Sequence, residues 1–176
     1  AMLNTNYNFF EKFENYNFKL WQKTLNENLS STFIVTKSVA KHMLKRKKGS
    51  IINIASADGV ISPDHRIYEP NKRYKYKGVN FNTPIAYSVA KSGIISMTRY
   101  LATYWAKKGI RVNCISPAGV YKKHNKKFVE QLSHRIPLGR MAKPHELNGA
   151  IIYLCSNASS YVTGHNLVVD GGRTAW

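Results

Sequence analysis

The sequence predicts an α/β fold built on a small parallel sheet. Three short apolar runs rich in β-branched residues, at 50–55, 110–116 and 166–170, are typical of buried strands. The segments between them exceed a dozen residues and contain helical periodicity, so they are predicted to connect parallel strands by right-handed crossovers. With 176 residues, the chain is predicted to form a single domain over 1–176.

A long helix is predicted at about 17–44, where apolar residues such as Trp21 and Leu25 recur every three or four positions. Lysines gather at its end, where the helix dipole favours cations, and Gly49 stops it. Asn28 lies on the apolar stripe, where an unpartnered buried amide is costly. It is therefore expected to bond a backbone group or a water, and periodicity alone favours a structural role.

Ser56 directly follows the first predicted strand. Ligands of open α/β sheets bind beyond the carboxyl ends of the strands, although a serine that only caps a turn fits the same position. Residues 57–86 then form a long basic and aromatic insertion without periodicity, and loops of this length are usually functional or disordered. This one either covers a substrate, with Arg66, Lys72 and Arg73 meeting a phosphate or carboxylate, or serves oligomer contacts.

Tyr87 and Lys91 open the next periodic run, which predicts a helix to about residue 107. Residues four apart share a helix face, so the ammonium of Lys91 is expected beside the phenol of Tyr87. A phenol ordinarily titrates near pH ~10, and a neighbouring cation lowers that pKa toward the range of a general base. A basic, tyrosine-rich chain produces this spacing by chance, so its meaning depends on the motifs around it.

The second strand ends in a turn at 117–120, and a short helix is predicted around 128–134. Pro144 suits the first turn of a helix that continues through Leu154. The third strand is ended by the pair Gly171 and Gly172. The six histidines are scattered, so no metal site is predicted.

The formal net charge is +18, with basic clusters at 41–48, 66–77 and 122–127. Such a charge fits a nucleic-acid or acidic membrane surface, an anionic small-molecule substrate, or lysine-rich helix ends and loops in solvent. No nucleic-acid-binding motif accompanies it, so solvated faces are favoured and no nucleic-acid partner is expected.

No run of about 20 apolar residues predicts a membrane span, and the first residues lack the pattern of a signal peptide. Cys114 and Cys155 both lie in apolar runs and are predicted to be buried thiols rather than a disulfide. These features favour a cytoplasmic protein without a membrane partner.

With these elements placed, the chain resembles the short-chain dehydrogenase/reductase family from about Trp21 to its C-terminus. The stretches that carry the resemblance lie, in family order, at 21–29, 49–56, 87–93, 109–117, 136–140 and 162–172. The resemblance implies a Rossmann-like, doubly wound parallel sheet that is truncated in its N-terminal half.

By that resemblance, Tyr87 is the general acid/base that exchanges a proton with the substrate oxygen. Ser56 would hydrogen-bond the same oxygen and stabilise the charge that develops on it. Lys91 would lower the pKa of Tyr87 and hold the nicotinamide ribose, and Asn28 would anchor a water in the proton relay. The implied reaction is hydride transfer between NAD or NADP and an alcohol/carbonyl pair of a small-molecule substrate.

The turn after the second strand is implied to pack near the nicotinamide through Pro117, Ala118, Gly119 and Val120. It departs from the usual Pro-Gly of the family, which shifts the expected contact. The larger departure is that the sequence contains no G-x-x-x-G-x-G, the loop that would cradle the pyrophosphate. The chain is therefore expected to begin near the family's fourth helix.

Three hypotheses follow from the resemblance. The chain is an oxidoreductase of the family, a catalytically silent remnant, or a subunit completed by a separately encoded N-terminal half. The first strand would lose its usual neighbour, so a homo-oligomer is expected to cover the exposed edge. The long basic insertion and the sequence after Arg140 resemble members linked to flagellin or surface-sugar modification, which suggests a sugar derivative as substrate.

Overall fold

The computed structural model describes residues 10–68, 75–76, 79–80 and 82–176. The α-helices in these segments are α1 (Phe18–Leu25), α2 (Ser31–Arg46), α3 (Ile85–Trp105), α4 (Lys126–Ser133) and α5 (Asn148–Cys155). The strands are β1 (Gly49–Ile54), β2 (Lys75–Tyr76), β3 (Val79–Asn80), β4 (Ile110–Pro117) and β5 (Asn166–Val169).

The main sheet is parallel and has the strand order β1-β4-β5. Ile54 lies opposite Ile115, and Pro117 lies opposite Val169. Because all three strands run the same way, their carboxyl ends meet at one edge of the sheet, which is where α/β folds place ligands. The predicted α/β fold with a parallel, Rossmann-like sheet is confirmed.

Helices cover both faces of this sheet. On one face, Ala40 of α2 and Ala102 and Trp105 of α3 are buried against Ile51 and Val112. On the other face, α5 contacts β1, and the Ser50 hydroxyl donates to the carbonyl of Leu154 at 2.9 Å. The alternation of neighbouring strand residues between the two faces follows from the two-residue period of a strand.

The predicted long helix is interrupted by a π-helical turn over Asn26–Ser30, between α1 and α2. The side-chain amide of Asn28 donates to the carbonyl of Thr24 at 2.9 Å. That carbonyl is the acceptor an α-helix would assign to the backbone N–H of Asn28, so the side chain competes with the helical ladder. Asn28 thus bonds a backbone group, which is one of the two partners expected from the sequence. Turns of the π type are frequent at functional sites.

Two other features differ from the sequence-based expectations. Cys114 is buried, but Cys155 is exposed at the end of α5, because Leu154 is the residue of that turn which faces the sheet. The prediction that both thiols are buried was therefore wrong for Cys155. The insertion at 57–86 contains a short antiparallel ribbon of β2 and β3, which its irregular composition did not predict.

None of the helices in the described segments combines the length and the apolar character that crossing a membrane requires.

Gly109 provides a test of how α3 is joined to β4. Its φ of +74° is in the left-handed region, and a Cβ there would lie 2.1 Å from the carbonyl oxygen of Lys47. Gly109→Ala is expected to lower the free energy of unfolding by about 1–3 kcal/mol. The cost of the left-handed backbone conformation for alanine is added to that of the clash with the Lys47 carbonyl oxygen. Urea denaturation of the two proteins measures the difference.

The matched control is Gly149→Ala in α5, where an added Cβ meets nothing within 4 Å. Alanine favours a helix over glycine by roughly 0.5–1 kcal/mol, so this variant should be as stable as the parent or slightly more so. Equal stability of the two variants would contradict the assignment of strain to Gly109.

Candidate active site

The carboxyl edge of the sheet brings three segments of the chain together. The turn that begins at Ser56 follows β1, the turn at 117–120 follows β4, and the tail from Asp170 follows β5. The first turns of α3 lie against the same edge, where α3 contacts the short 3-10 turn Ala57–Gly59. Sequence segments more than a hundred residues apart therefore border a single site.

Lys91 is the residue that fastens α3 to this edge. Its side chain is 6% exposed, and its ammonium donates to the carbonyl oxygen of Ile54 at 3.0 Å. Gly59 lies so close that a Cβ there would be 2.7 Å from the carbonyl carbon of Lys91. The turn after β1 therefore packs directly on the helix backbone, and burial lowers the pKa of the Lys91 ammonium.

A buried hydrogen bond deeper in the sheet supports this placement. The side-chain amide of Asn53 in β1 donates to the hydroxyl of Thr98 in α3 at 2.9 Å. Both side chains are buried, so their polar groups need each other as partners. The bond holds α3 at one position along β1, and with it the side chains of Tyr87 and Lys91.

The hydroxyls of Ser56 and Tyr87 lie close enough together for Ser56 to lower the pKa of Tyr87. The hydroxyl of Ser56 also accepts the backbone N–H of Asp58 at 3.2 Å, and only 8% of Ser56 is exposed. The ammonium of Lys91 lies 5.6 Å from the centroid of the Tyr87 ring. The structure thus brings together three of the four predicted catalytic residues at one point of the edge.

The pKa of Tyr87 is raised above its ordinary value, mainly because burial disfavours the phenolate. The hydroxyl of Ser56 acts in the opposite direction, while the negative charge of Asp58 raises the pKa further. The expectation that the Lys91 cation gives Tyr87 a lowered pKa is wrong for this structure, because burial outweighs the favourable contacts. At neutral pH Tyr87 is therefore a phenol with a proton to donate.

Asn28, the fourth predicted catalytic residue, lies on the π turn next to Leu29. Leu29 packs against Gly93 of α3, and it joins the buried cluster of Ala55, Ile94, Ile95 and Cys114 beneath the site. Asn28 itself is part-buried, with its amide on the carbonyl of Thr24. Its role in a proton relay stays a prediction.

The turn at 117–120 is held by backbone hydrogen bonds on two sides. The N–H of Ala118 donates to the carbonyl of Val169 at 3.3 Å, and the N–H of Ala142 donates to the carbonyl of Gly119 at 2.9 Å. Ala118 and Gly119 line a cavity of about 220 Å³. A Cβ on Gly119 would lie 2.4 Å from Cδ2 of Leu132, so a larger residue at this position requires Leu132 to move.

The predicted substrate residues are only partly described. Lys72 and Arg73 lie outside the described residues. Arg66 is exposed and forms a two-pronged ion pair with Asp64, through contacts of 2.8 and 3.0 Å. Arg135, at the end of α4, binds the other side of the same carboxylate. These guanidinium partners, with Arg66 contributing most, hold the pKa of Asp64 far below its usual range.

Sequence reasoning missed an ion pair beside the predicted catalytic residues. Nη2 of Arg173 lies 3.1 Å from Oδ1 of Asp58, with side-chain exposures of 9% and 15%. Asp58 stands two residues after Ser56, whereas Arg173 belongs to the tail after β5. A lone aspartate in a turn and a lone arginine after two glycines carry no periodic signal, so only their proximity in the fold reveals the pair.

The ion pair of Asp64 with Arg135 connects the 57–68 segment to the residues that follow α4. The variant Asp64→Asn tests how much the carboxylate charge contributes to stability. A carboxylate whose pKa is depressed on folding stabilises the folded state fully above its unfolded value of ~3.9 and loses that contribution as the pH falls through the folded value. We therefore expect Asp64→Asn to be less stable than the parent at neutral pH, with a difference that narrows steadily below about pH 4. Thermal unfolding across this pH range measures it.

Glu130→Gln serves as the control, because it removes an exposed carboxylate from α4 itself. A gap between parent and Asp64→Asn that is the same at acid and neutral pH would show that the carboxylate charge is not what stabilises this contact.

Two family profiles match the chain. The profile of the enoyl-(acyl carrier protein) reductases matches residues 74–174, and that of the short chain dehydrogenases matches residues 2–69. Together they account for nearly the whole sequence, including the predicted catalytic residues.

Curated relatives include dehydrogenases of sugar acids and sugar alcohols. The 2-dehydro-3-deoxy-D-gluconate 5-dehydrogenase of Bacillus subtilis is 38% identical over 168 residues, with 92% of this chain and 59% of the relative covered. The D-threitol dehydrogenase of Mycolicibacterium smegmatis is 33% identical, with 88% of this chain and 54% of the relative covered. The chain thus spans less than three fifths of the length of these relatives.

Solved structures show the same likeness. A short chain dehydrogenase from Leptospira borgpetersenii with bound NAD⁺ aligns with a TM-score of 0.83 and 38% identity, over 94% of this chain and 60% of that protein. A gluconate 5-dehydrogenase from Burkholderia cenocepacia, in complex with NADP and tartrate, aligns with a TM-score of 0.79 and 29% identity, over 93% and 60%. With the profile matches and the geometry of Ser56, Tyr87 and Lys91, these alignments show that the chain belongs to the short-chain dehydrogenase/reductase family.

Proposed function

We propose that this chain carries the catalytic residues of an NAD(P)-dependent oxidoreductase that interconverts an alcohol and a carbonyl on a sugar-like substrate. The observation that carries the proposal is the convergence of Ser56 and Tyr87, whose side chains interact, beside the buried ammonium of Lys91. Two hydroxyl donors that converge at the carboxyl edge of a parallel sheet suit the oxygen of an alcohol/carbonyl pair.

The residues at this edge fit the nicotinamide end of NAD or NADP. An ammonium has three donors, and one of those of Lys91 is used by the carbonyl of Ile54, which leaves the others for ribose hydroxyls. Tyr87 offers its hydroxyl on the same helix face, and Pro117, Ala118, Gly119 and Val120 form a half-buried wall for a planar ring. When bound, the nicotinamide supplies or accepts the hydride.

The chain's own residues account for the proton. Tyr87 is a phenol at neutral pH, because burial raises its pKa, and it donates that proton to the substrate oxygen in the direction of carbonyl reduction. Ser56 donates a hydrogen bond to the same oxygen, while Lys91 favours the phenolate that Tyr87 becomes. In the direction of alcohol oxidation, the phenolate takes the proton back.

A sugar acid or a phosphorylated sugar would suit the charges near the site. Asp64 is shared by Arg66 and Arg135, so the cluster carries one positive charge more than its carboxylate neutralises. Arg66, together with Lys72 and Arg73 of the same insertion, is proposed to attract an anionic group of the substrate. The names of the sugar-acid and sugar-alcohol dehydrogenases among the relatives support this class, whereas the link to flagellin or surface-sugar modification stays a prediction.

We also propose that the chain acts together with a partner, either a second copy or a separately encoded N-terminal half. Within the described residues β1 pairs only with β4, and Ile54 at its end is 48% exposed. On α2, Phe33 and Ile34 are also exposed. Strand edges and contiguous apolar surfaces of this kind are usually covered in native proteins, which supports an assembly.

Titration of the purified chain with NADH and NADPH, followed by fluorescence or calorimetry, tests the function. Saturable binding is expected, and Lys91→Ala should weaken it about tenfold or more, because a hydrogen bond from a charged group contributes about 1.5–3 kcal/mol. Tyr87→Phe should retain binding but abolish turnover of a panel of sugar acids and polyols.

Lys107→Ala is the matched control, since Lys107 is exposed after the end of α3 and its removal should leave affinity nearly unchanged. Circular dichroism of each variant separates lost binding from lost folding. Binding that Lys91→Ala does not weaken would contradict the proposed site. A folded chain that binds neither cofactor, alone or mixed with a complementary N-terminal half, would support the silent remnant instead.

A further inference from the structure

The ion pair of Asp58 and Arg173 is the charged contact closest in sequence to the catalytic Ser56. Arg173 is 9% exposed, although its guanidinium is always charged, and its Nη2 lies 3.1 Å from Oδ1 of Asp58. Burial raises the pKa of the Asp58 carboxyl, and the nearby positive charge of Arg173 counteracts this. Burying two charges is costly, so the pair persists only where the surrounding structure holds both partners.

The tail after β5 is built to present Arg173. The carboxylate of Asp170 accepts the N–H groups of Gly172 at 2.8 Å and of Thr174 at 2.7 Å, which closes a tight turn around Arg173. Gly171 and Gly172 both have positive φ, which a residue with a side chain adopts only with strain. This turn holds the backbone of Arg173 in place, and its guanidinium reaches Asp58.

Asp58 acts on the catalytic residues in two ways. Its backbone N–H donates to the hydroxyl oxygen of Ser56 at 3.2 Å, so its position helps to orient the hydroxyl that acts on Tyr87. Its carboxylate charge is also close enough to disfavour the Tyr87 phenolate. A group that holds and neutralises Asp58 therefore influences both Ser56 and Tyr87.

We propose that Arg173 is a positioning residue of the active site, which acts through Asp58 to orient the Ser56 hydroxyl and to set the electrostatic potential at the Tyr87 phenol. This inference rests on the proposed function for its catalytic meaning. Arg173 acts on Ser56 by holding Asp58 in place, and at Tyr87 its positive charge offsets the negative charge of the Asp58 carboxylate.

Among the described residues, three place charged or polar groups around Tyr87. Lys91 lies below the ring on α3 itself, and Ser56 and Asp58 face it from the turn after β1. His65, on the following segment, acts on the carboxylate of Asp58. Of these groups, Asp58 carries the negative charge. Substitution of Arg173 therefore removes the charge that offsets Asp58 while leaving Tyr87, Ser56 and Lys91 unaltered.

The test compares the titration of Tyr87 in a set of variants. Asp58→Asn removes the negative charge and should lower the pKa of Tyr87 by about half a unit or more, since nearby like charges shift a pKa by this order. Arg173→Gln leaves the carboxylate uncompensated and should raise the pKa of Tyr87. In the Asp58→Asn background, Arg173→Gln should shift the pKa of Tyr87 less, because only the direct effect of the guanidinium charge remains and no carboxylate is left to be held or offset.

The phenolate absorbance in the ultraviolet reports this titration, and subtraction of the same variant carrying Tyr87→Phe cancels the remaining tyrosines. Arg46→Gln is the matched control, because it removes one positive charge at the end of α2, away from the carboxyl edge. Its Tyr87 titration should coincide with that of the parent. Arg173→Lys keeps the charge and should restore most of the parental midpoint if Arg173→Gln folds poorly.

An Arg173→Gln shift that is equally large in the Asp58→Asn background, or an unshifted Tyr87 in Asp58→Asn, would overturn the inference. A purely structural pair would lower the melting temperature of the variants without moving the Tyr87 midpoint. The titration needs neither cofactor nor substrate, so it can fail independently of the proposed function. A shifted pKa of Tyr87 in a chain that never binds cofactor refutes only the function. Cofactor binding together with an unchanged pKa of Tyr87 in the variants refutes only the role of Arg173.

Discussion

The contact between α3 and the end of β1 is the constraint on which the site depends. The Lys91 ammonium donates to the last carbonyl of β1, while Gly59 approaches the backbone of Lys91 more closely than any residue with a side chain could. A lysine so deeply buried needs an acceptor, because an unpaired buried charge is costly. Satisfying Lys91 therefore also brings the helix face of Tyr87 against the hydroxyl of Ser56.

At this edge of the sheet a buried positive side chain is paired with a negative one, although the chain as a whole is strongly basic. The protein carries a net charge of +18, yet among the described residues the ammonium of Lys91 lies 5.6 Å from the centre of the Tyr87 ring, and Arg173 is paired with Asp58. Burial raises the pKa of Tyr87 and lowers that of Lys91, so both groups are shifted toward their neutral forms. Burial therefore keeps Tyr87 protonated at neutral pH, which suits a group that donates a proton.

The sequence predicted the elements well because their signals are local. The strand before Ser56 and the helix of Tyr87 and Lys91 were found within one or two residues, since burial imposes a period of two or 3.6 on neighbouring residues. It did not predict the π turn at Asn28, because that turn depends on whether one side-chain amide takes a backbone acceptor. It also misplaced Cys155, since an all-apolar helix does not reveal which face meets the sheet.

By itself, the sequence determined the strand and helix order and the parallel sheet, and its resemblance to the family marked Ser56, Tyr87 and Lys91 as the predicted catalytic residues. The tertiary structure alone decided the direction of the Tyr87 pKa, the sharing of Asp64 between Arg66 and Arg135, and the pairing of Asp58 with Arg173. The physical reason is distance along the chain. Periodicity reports on neighbours a few residues apart, whereas desolvation and ion pairing depend on which distant segments the sheet brings to the same edge.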